Sequence, residues 1–263
     1  MNVSDIFTTL IPIIKNAGEI ILSASSDKSF DKKSGTANFV TAYDVAVQNY
    51  LMENIKKEIP NALFIAEEKD NDNSALDSEC CFIIDPIDGT TNFIHDYRHS
   101  CISVAMVNGG ECVLGIIYDP YQNEIFHAIK GKGAYLNGKA ICVSDTPFEL
   151  AVVLFGSAPY DKPGLADKTF AFTKELFLKT SDIRRSGSAA LDLAYLACGR
   201  CDIFFEFMLS PWDFAAGQLL VTEAGGVITD ARGQKPSLAS KTPIFAATPK
   251  NHEELIKTAQ KYL

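Results

Sequence analysis

The string Asp85-Pro86-Ile87-Asp88-Gly89-Thr90-Thr91-Asn92-Phe93, set directly after the apolar run Cys81-Phe82-Ile83-Ile84, constrains this chain more than any other feature. Such a run, bounded by turn residues, reads as a buried strand, and an acid at its end is how that strand delivers a polar group to the edge of a core. Pro86 fixes its own φ and pushes Asp85 toward extended geometry. Gly89 permits a sharp turn. Thr90 or Thr91 is then placed to cap a following helix whose free N–H groups face an anion. Carboxylates that hold a cation, beside N–H groups that hold a phosphate, make a phosphate-ester site. Asp, Pro and Gly are also ordinary turn residues, so an Asx turn with an N-cap is the competing reading. The position of the whole string on a buried strand argues against it.

More acids stand at comparable places. Glu67 and Glu68 follow the apolar run Leu63-Phe64-Ile65-Ala66, so Glu67 ends a strand as Asp85 does. Asp213 follows Pro211-Trp212 and opens a helix through Phe214-Ala215-Ala216-Gly217, and Asp44 lies in the first turn of another helix. Singly, each is explained as a solvated strand end or as a helix N-terminal acid that favours the macrodipole. If Glu67, Asp85, Asp88 and Asp213 converge to about 5 Å, each close pair repels by roughly 3 kcal/mol at an effective dielectric near 20. Such a pocket needs cations. An all-oxygen ligand set with no His or Cys at ligand spacing favours Mg²⁺ or Mn²⁺ over Zn²⁺. Two such ions suit in-line attack of water on phosphorus.

The periodicity changes along the chain. Residues 4–25 repeat apolar positions at helical spacing, with Pro12 a point for a kink. A second helix is expected from about Thr41 to Glu58, opened by a Thr41-x-x-Asp44 capping box and stopped by Pro60. Strands follow at 63–65, 82–84, 102–107, 113–118 and 124–129, with Gly109-Gly110 joining two as a hairpin. The polar run 67–79 reads as a solvated loop, and 130–133 and 136–139 as turns. After about residue 146 strand and helix alternate: strands at 152–155, 183, 203–207, 227–228 and 245–246, helices at 168–177, 189–197, 214–223 and 251–262. The expected organisation is an α+β subdomain over 1–145 that carries most metal ligands and an α/β subdomain over 146–263 that carries substrate contacts and Asp213.

Composition narrows the function classes. With 263 residues, 47% hydrophobic and 22% charged, the chain fits a soluble globular protein. Its net charge of −9 and the lack of a long basic run make nucleic acid an unexpected main partner. No segment reaches the ~18 apolar residues of a membrane span. Met1-Asn2-Val3-Ser4-Asp5 lacks the basic start of a secretory signal. The seven cysteines are an odd number without a disulfide framework, which points to cytoplasmic thiols. Cys198-Gly199-Arg200-Cys201 has redox or zinc spacing but stands alone where a helix ends on glycine. His95 and His99 follow the main motif and read as surface or satisfied core histidines, since acids already account for a metal.

Glu67-Glu68, the string from Asp85 to Phe93, and Trp212-Asp213-Phe-Ala-Ala-Gly217 followed by Glu223-Ala-Gly-Gly226 resemble the inositol monophosphatase family, within the lithium-sensitive, magnesium-dependent phosphatase superfamily. The similarity runs in order from about Lys33 to Gly226. It implies an αβαβα layered fold, a homodimer, inhibition by lithium, and two to three Mg²⁺ per site. It further implies that Glu67, Asp85 and the carbonyl of Ile87 bind one ion, that Asp85, Asp88 and Asp213 bind a second, and that Glu67 helps hold a third. Thr90 with Asp44 would orient or deprotonate the attacking water. Gly89, Thr90 and Thr91 would present N–H groups to the phosphate. Asp88, Gly187, Ser188, Ala189 and Glu206 would meet substrate hydroxyls, and Lys33, just before the Ser34–Val40 stretch that matches the family's mobile loop, would help close the site, a plain solvated lysine being the alternative.

The substrate implied is myo-inositol 1-phosphate, because Thr91-Asn92-Phe93 differs from the Lys-Glu-Phe type of string in related nucleotidases. The alternatives are 3′-phosphoadenosine 5′-phosphate and fructose 1,6-bisphosphate. A haloacid dehalogenase-type phosphatase with Asp85 as nucleophile is a further alternative, opposed by the three-residue spacing of the acids across Pro86. A non-enzymatic alternative is a regulatory binding partner, a role some bacterial relatives take with transcription machinery.

Overall fold

Residues 2–24, 29–34 and 38–263 are described by this computed structural model, with the side chains at 32–34, 38 and 39 outside that description. In chain order the elements are α1 (Val3–Leu22), β1 (Phe30–Ser34), β2 (Asn38–Thr41), α2 (Ala42–Glu58), β3 (Leu63–Ala66), β4 (Cys81–Asp88), α3 (Thr90–Ile94) and β5 (Cys101–Asn108). There follow β6 (Glu111–Asp119), β7 (Glu124–Ile129), β8 (Ala134–Leu136), β9 (Lys139–Ile141), β10 (Val152–Phe155), α4 (Lys162–Lys179), β11 (Asp182–Arg184) and α5 (Ala189–Ala197). The chain closes with β12 (Ile203–Leu209), α6 (Pro211–Glu223), β13 (Val227–Thr229), β14 (Thr242–Ala247) and α7 (Pro249–Ala259).

Two large sheets carry the architecture. Strands β3 to β9 form a seven-stranded sheet in sequence order. Only β3 and β4 run parallel in it, and every later neighbour is antiparallel. The second sheet has five strands in the order β11-β10-β12-β14-β13. Its β10 pairs in parallel with both β11 and β12, because helices supply the crossovers. β1 and β2 make a separate antiparallel hairpin.

Side-chain alternation sets the layers. On β4, Phe82 and Ile84 pack with Leu10 and Ile14 of α1 and Leu51 and Ile55 of α2, whereas Cys81 and Ile83 pack with α5 and α6. A strand buried on both faces reads as a continuous apolar run, which is why Cys81–Ile84 shows no polar interruption. The α5/α6 layer also covers one face of the five-stranded sheet through Leu154, Phe204 and Ile244. The other face, with Val153, Phe205 and Phe245, packs under Phe172 of α4 and Leu255 of α7. The stack is therefore αβαβα, as expected: α1/α2, sheet, α5/α6, sheet, α4/α7.

Several local expectations change. α1 continues through Pro12 as one helix, with that residue on the exposed side. The run 67–79 is not all solvated loop, since Asn73–Asp77 forms a 3-10 turn that buries Ala75 and Leu76 in the central core. The expected turns near 130–139 include the short strands β8 and β9, too brief for a period-2 signal. α4 starts at Lys162 and α6 at Pro211, earlier than apolar periodicity suggests, because each opens on polar or proline-bearing first turns. Lys33 lies on β1, but its side chain and residues 35–37 of the expected mobile loop fall outside the described residues.

Candidate active site

A strand alternates its faces, so Asp85 and Asp88, three residues apart, should point in opposite directions. A bulge prevents this. Asp85 pairs with Ser103 and Asp88 with Cys101, so β4 spends three steps where β5 spends two. Ile87 thereby joins Phe82 and Ile84 against α1/α2, and both aspartates face the α5/α6 side. The bulge also accommodates Pro86, which cannot donate to a sheet ladder. Asp85 Oδ1 accepts from Ile87 N at 3.1 Å, fixing the bulged loop.

The third acid comes from a helix start. Asp213 stands in the first turn of α6 and accepts from the backbone N of Ser210 at 2.7 Å through Oδ2. One carboxylate oxygen each from Asp85, Asp88 and Asp213 lie within 4.8 Å of one another, and all three residues are buried. Glu67, half-buried at the end of β3, lines the same cleft but is outside that tight group. Asp44 approaches from α2. Its Oδ2 closes the expected capping box by accepting from Thr41 N at 2.8 Å, and its Oδ1 accepts from the Thr90 hydroxyl at 3.2 Å. The Thr90 hydroxyl has a second acceptor in the Ile87 carbonyl, also at 3.2 Å.

The start of α3 differs from the sequence expectation. Neither Thr90 nor Thr91 is its N-cap. Gly89 holds that position at φ +94°, with no side-chain cap, and Thr90 is the first helical residue. A Cβ at Gly89 would stand 3.0 Å from the His99 carbonyl, so both the left-handed backbone and the close approach require glycine. The threonine hydroxyl is thus released from capping and turned to Asp44, while the first-turn N–H groups of α3 lack intrahelical acceptors.

Electrostatics single out the cluster. Burial, then the charges of Glu67, Asp88 and Asp213, hold the Asp85 carboxyl well above the usual range. Burial pushes Asp88 up to about 6 and raises Asp213 strongly, with the neighbouring acids adding to it. The Ser188 hydroxyl, at 2.5 Å, and Ala190 N, at 2.7 Å, both donate to Asp88 Oδ2 and counteract part of that rise. Acids forced together in this way, with oxygen donors only, fit one or more hard divalent cations.

The opposite wall belongs to the second sheet. Glu206 on β12 is buried, and burial lifts its carboxyl to about 7. Its Oε1 accepts from Ala158 N at 2.8 Å. Gly156 makes room for it: a Cβ there would fall 1.7 Å from Glu206 Oε2. The Gly187-Ser188-Ala189 segment reaches the cleft at the start of α5, with Ser188 buried and its hydroxyl given to Asp88.

Sequence reasoning missed Gly156, Tyr160, Arg185 and Asp192, all of which line the cleft. A glycine directly after the strand 152–155, and an arginine two residues before Gly187, were the available signals. Cys198 and Cys201 join no metal-ligating group among the described residues, and all seven cysteines are free. His99 is not a satisfied core histidine: its buried Nε2 has no hydrogen-bond partner, and burial lowers its pKa.

A sequence profile of the inositol monophosphatase family matches residues 2–263. The chain is 39% identical over 221 residues to Nus factor SuhB of Escherichia coli K12, covering 83% of this chain and 82% of that protein. Among solved structures, an IMPase of Thermotoga maritima superposes with a TM-score of 0.89 at 34% identity, covering 98% of both chains. The extragenic suppressor protein SuhB of Bartonella henselae superposes with a TM-score of 0.89 at 31% identity, covering 98% of this chain and 100% of the other.

Proposed function

The chain belongs to the inositol monophosphatase family, and on that footing we propose that it is a cytoplasmic, magnesium-dependent phosphomonoesterase that hydrolyses myo-inositol 1-phosphate. The observation that carries this reading is the convergence of buried Asp85, Asp88 and Asp213 oxygens within 4.8 Å, beside the Thr90–Asp44 hydrogen bond. Asp85, Asp88, Asp213, Glu67 and the Ile87 carbonyl would hold Mg²⁺, or Mn²⁺, two to three ions per site. The bound ions would neutralise the acids, polarise the phosphate oxygens and ease deprotonation of water.

The chain's own groups supply the rest. Thr90 Oγ can accept a proton from the attacking water while its own proton passes along the hydrogen bond to Asp44 Oδ1, a general-base relay. N–H groups of Gly89, Thr90 and Thr91 orient the phosphate where partial positive charge gathers at the start of α3. Glu206, Asp88 and the Gly187–Ala189 segment face the alcohol part of the ester. Water as nucleophile fits better than Asp85, because Asp85 is committed to the acid cluster and to Ile87 N.

Phosphate release with and without Mg²⁺ from inositol 1-phosphate, 3′-phosphoadenosine 5′-phosphate and fructose 1,6-bisphosphate tests this reading. Strong preference for the inositol ester is expected; preference for either alternative keeps the mechanism and moves the substrate. The curated relative's name, Nus factor, favours a second reading in which the same fold also serves as a regulatory partner. A pull-down with an Asp85→Asn, Asp213→Asn double variant separates the two: capture that survives loss of turnover supports the regulatory role. Homodimerisation, implied by family resemblance, is checked by sedimentation.

A further inference from the structure

Besides its acids, the cleft has an apolar lining. Phe155, Pro159, Tyr160 and Leu209 supply it from β10, from β12 and from the turn between β10 and α4. Tyr160 is the aromatic member that reaches solvent, with 41% of its surface exposed. Its hydroxyl end is nonetheless deep. Burial, then the charges of Asp213, Glu206, Glu67 and Asp88, hold the phenol well above its usual pKa. Those acids belong both to the proposed metal end of the cleft and to the alcohol end. A ring with its tip among them and its edge in solvent spans the cleft from floor to rim.

This ring is carried on a pinned turn. Tyr160 lies in the 3-10 turn Pro159–Asp161. On one side Glu206 Oε1 accepts from Ala158 N at 2.8 Å, and Ala158 takes a left-handed backbone at φ +42°. Such a conformation is costly for a residue with a Cβ and persists where the surroundings over-determine it. On the other side Asp161 caps α4, accepting from Gly164 N at 3.2 Å. Lys241, just before β14, places Nζ 5.5 Å from the Tyr160 ring centroid, a cation–π contact that steadies one face. Glu206 therefore both borders the cleft and fixes the turn that holds Tyr160 over it.

A flat aromatic surface beside a hydroxyl acceptor suits a ring-shaped polyol. A cyclitol offers one face of C–H groups to the aromatic ring, while hydroxyls around its edge reach a carboxylate. An open-chain polyol has no fixed C–H face and must freeze several rotatable bonds to lie along such a wall. We propose that Tyr160 is a specificity-determining residue whose ring, on the face opposite Lys241, packs against the alcohol and favours phosphomonoesters of cyclic polyols over those of open-chain polyols of equal carbon count. This rests on the phosphatase reading above and deepens it. The acid cluster serves any phosphate ester, whereas the wall at Tyr160 selects the alcohol by its shape.

Inositol 1-phosphate and sorbitol 6-phosphate, monophosphates of a cyclic and an open-chain six-carbon polyol, form the matched pair, assayed with Mg²⁺ supplied. The wild-type protein is expected to favour the cyclic ester in kcat/KM. Intrinsic reactivity differs between the two esters, but that difference cancels when the ratio is compared between variants. In Tyr160→Ala the ratio should fall by about 3- to 10-fold, through a higher KM for the cyclic ester, the scale of one lost aromatic contact. Tyr160→Leu, which keeps apolar bulk without a flat ring, should fall with it. Tyr160→Phe should keep the wild-type ratio, since only the hydroxyl is removed. A wild-type protein indifferent to the pair, equal losses on both esters in Tyr160→Ala and Tyr160→Leu, or a ratio lost in Tyr160→Phe overturns the inference while leaving the phosphatase reading intact. Mg²⁺-dependent turnover of neither ester overturns both.

Discussion

Asp44 Oδ1 and the Thr90 hydroxyl meet at 3.2 Å although 46 residues separate them in the chain. The contact joins the start of α2 to the start of α3, and the other oxygen of Asp44 is tied to Thr41 by the capping box. A helix cap thus fixes the orientation of the proposed proton acceptor. Thr90→Val, close in shape but without a hydroxyl, should lower kcat by roughly 10²- to 10⁴-fold, the usual worth of general acid–base catalysis. KM and the Mg²⁺ requirement should change little. Steady-state kinetics at saturating Mg²⁺ check this, and near-normal kcat would remove Thr90 from the relay.

The acid cluster should oppose folding when no cation is present. Asp85→Asn retains an acceptor for Ile87 N but removes one charge from a buried group of acids. It is expected to abolish turnover and yet to raise the stability of the metal-free protein by on the order of 1–3 kcal/mol, the scale of one relieved close repulsion. The rise in melting temperature produced by Mg²⁺ in the wild-type protein should largely vanish in the variant. Thermal melts with EDTA and with Mg²⁺ give both readouts; a variant less stable than wild type in EDTA would contradict the electrostatic account.

Glu206 makes a pH-dependent contribution of known sign. Its carboxyl, raised by burial from 4.5 to about 7, binds a proton more tightly folded than unfolded. Stability therefore falls as pH rises from about 4.5 through 7, by up to roughly 3 kcal/mol. In Glu206→Gln that loss disappears, so the variant should gain on the wild-type protein steadily between pH 5 and pH 8. Denaturant midpoints in metal-free buffer across that range measure it, and a constant difference would show that Glu206 stays ionised throughout.

Gly156→Ala is expected to act through Glu206. The new Cβ would lie 1.7 Å from Oε2 and 2.0 Å from Cδ, so the carboxylate must leave its place and its bond to Ala158 N. A loss of about 1–3 kcal/mol of stability, typical of overpacking, should accompany a higher KM for a polyol ester. Wild-type kinetics and an unchanged melting temperature would mean that Glu206 has another rotamer available at little cost.

The main motif already carried the buried strand, the turn glycine and two of the acids, and Thr41-x-x-Asp44 carried the capping box, because these depend on residues close in sequence. Five strands of the larger sheet and the alternation after residue 146 were legible for the same reason, since period and turn chemistry are local properties. Short elements such as β8 and β9 were not, for three residues give no period to read. Thr90 was misplaced as a cap because a threonine before a helix has the same local signature whether its hydroxyl bonds the helix or a distant acid.

Sequence by itself determined which groups could do chemistry here: carboxylate oxygens in number, a glycine turn after them, and most of the strands that bury them. Tertiary structure alone decided their geometry. The bulge between Asp85 and Asp88 depends on the register of β5, and the arrival of Asp213 depends on how α6 packs against the sheet. Tyr160 and Gly156 acquire meaning only because β10, β12 and the turn before α4 converge on one wall of the cleft. Propensity and pattern are set within a few residues, whereas convergence is set by packing across the whole chain, where no local signal reports it.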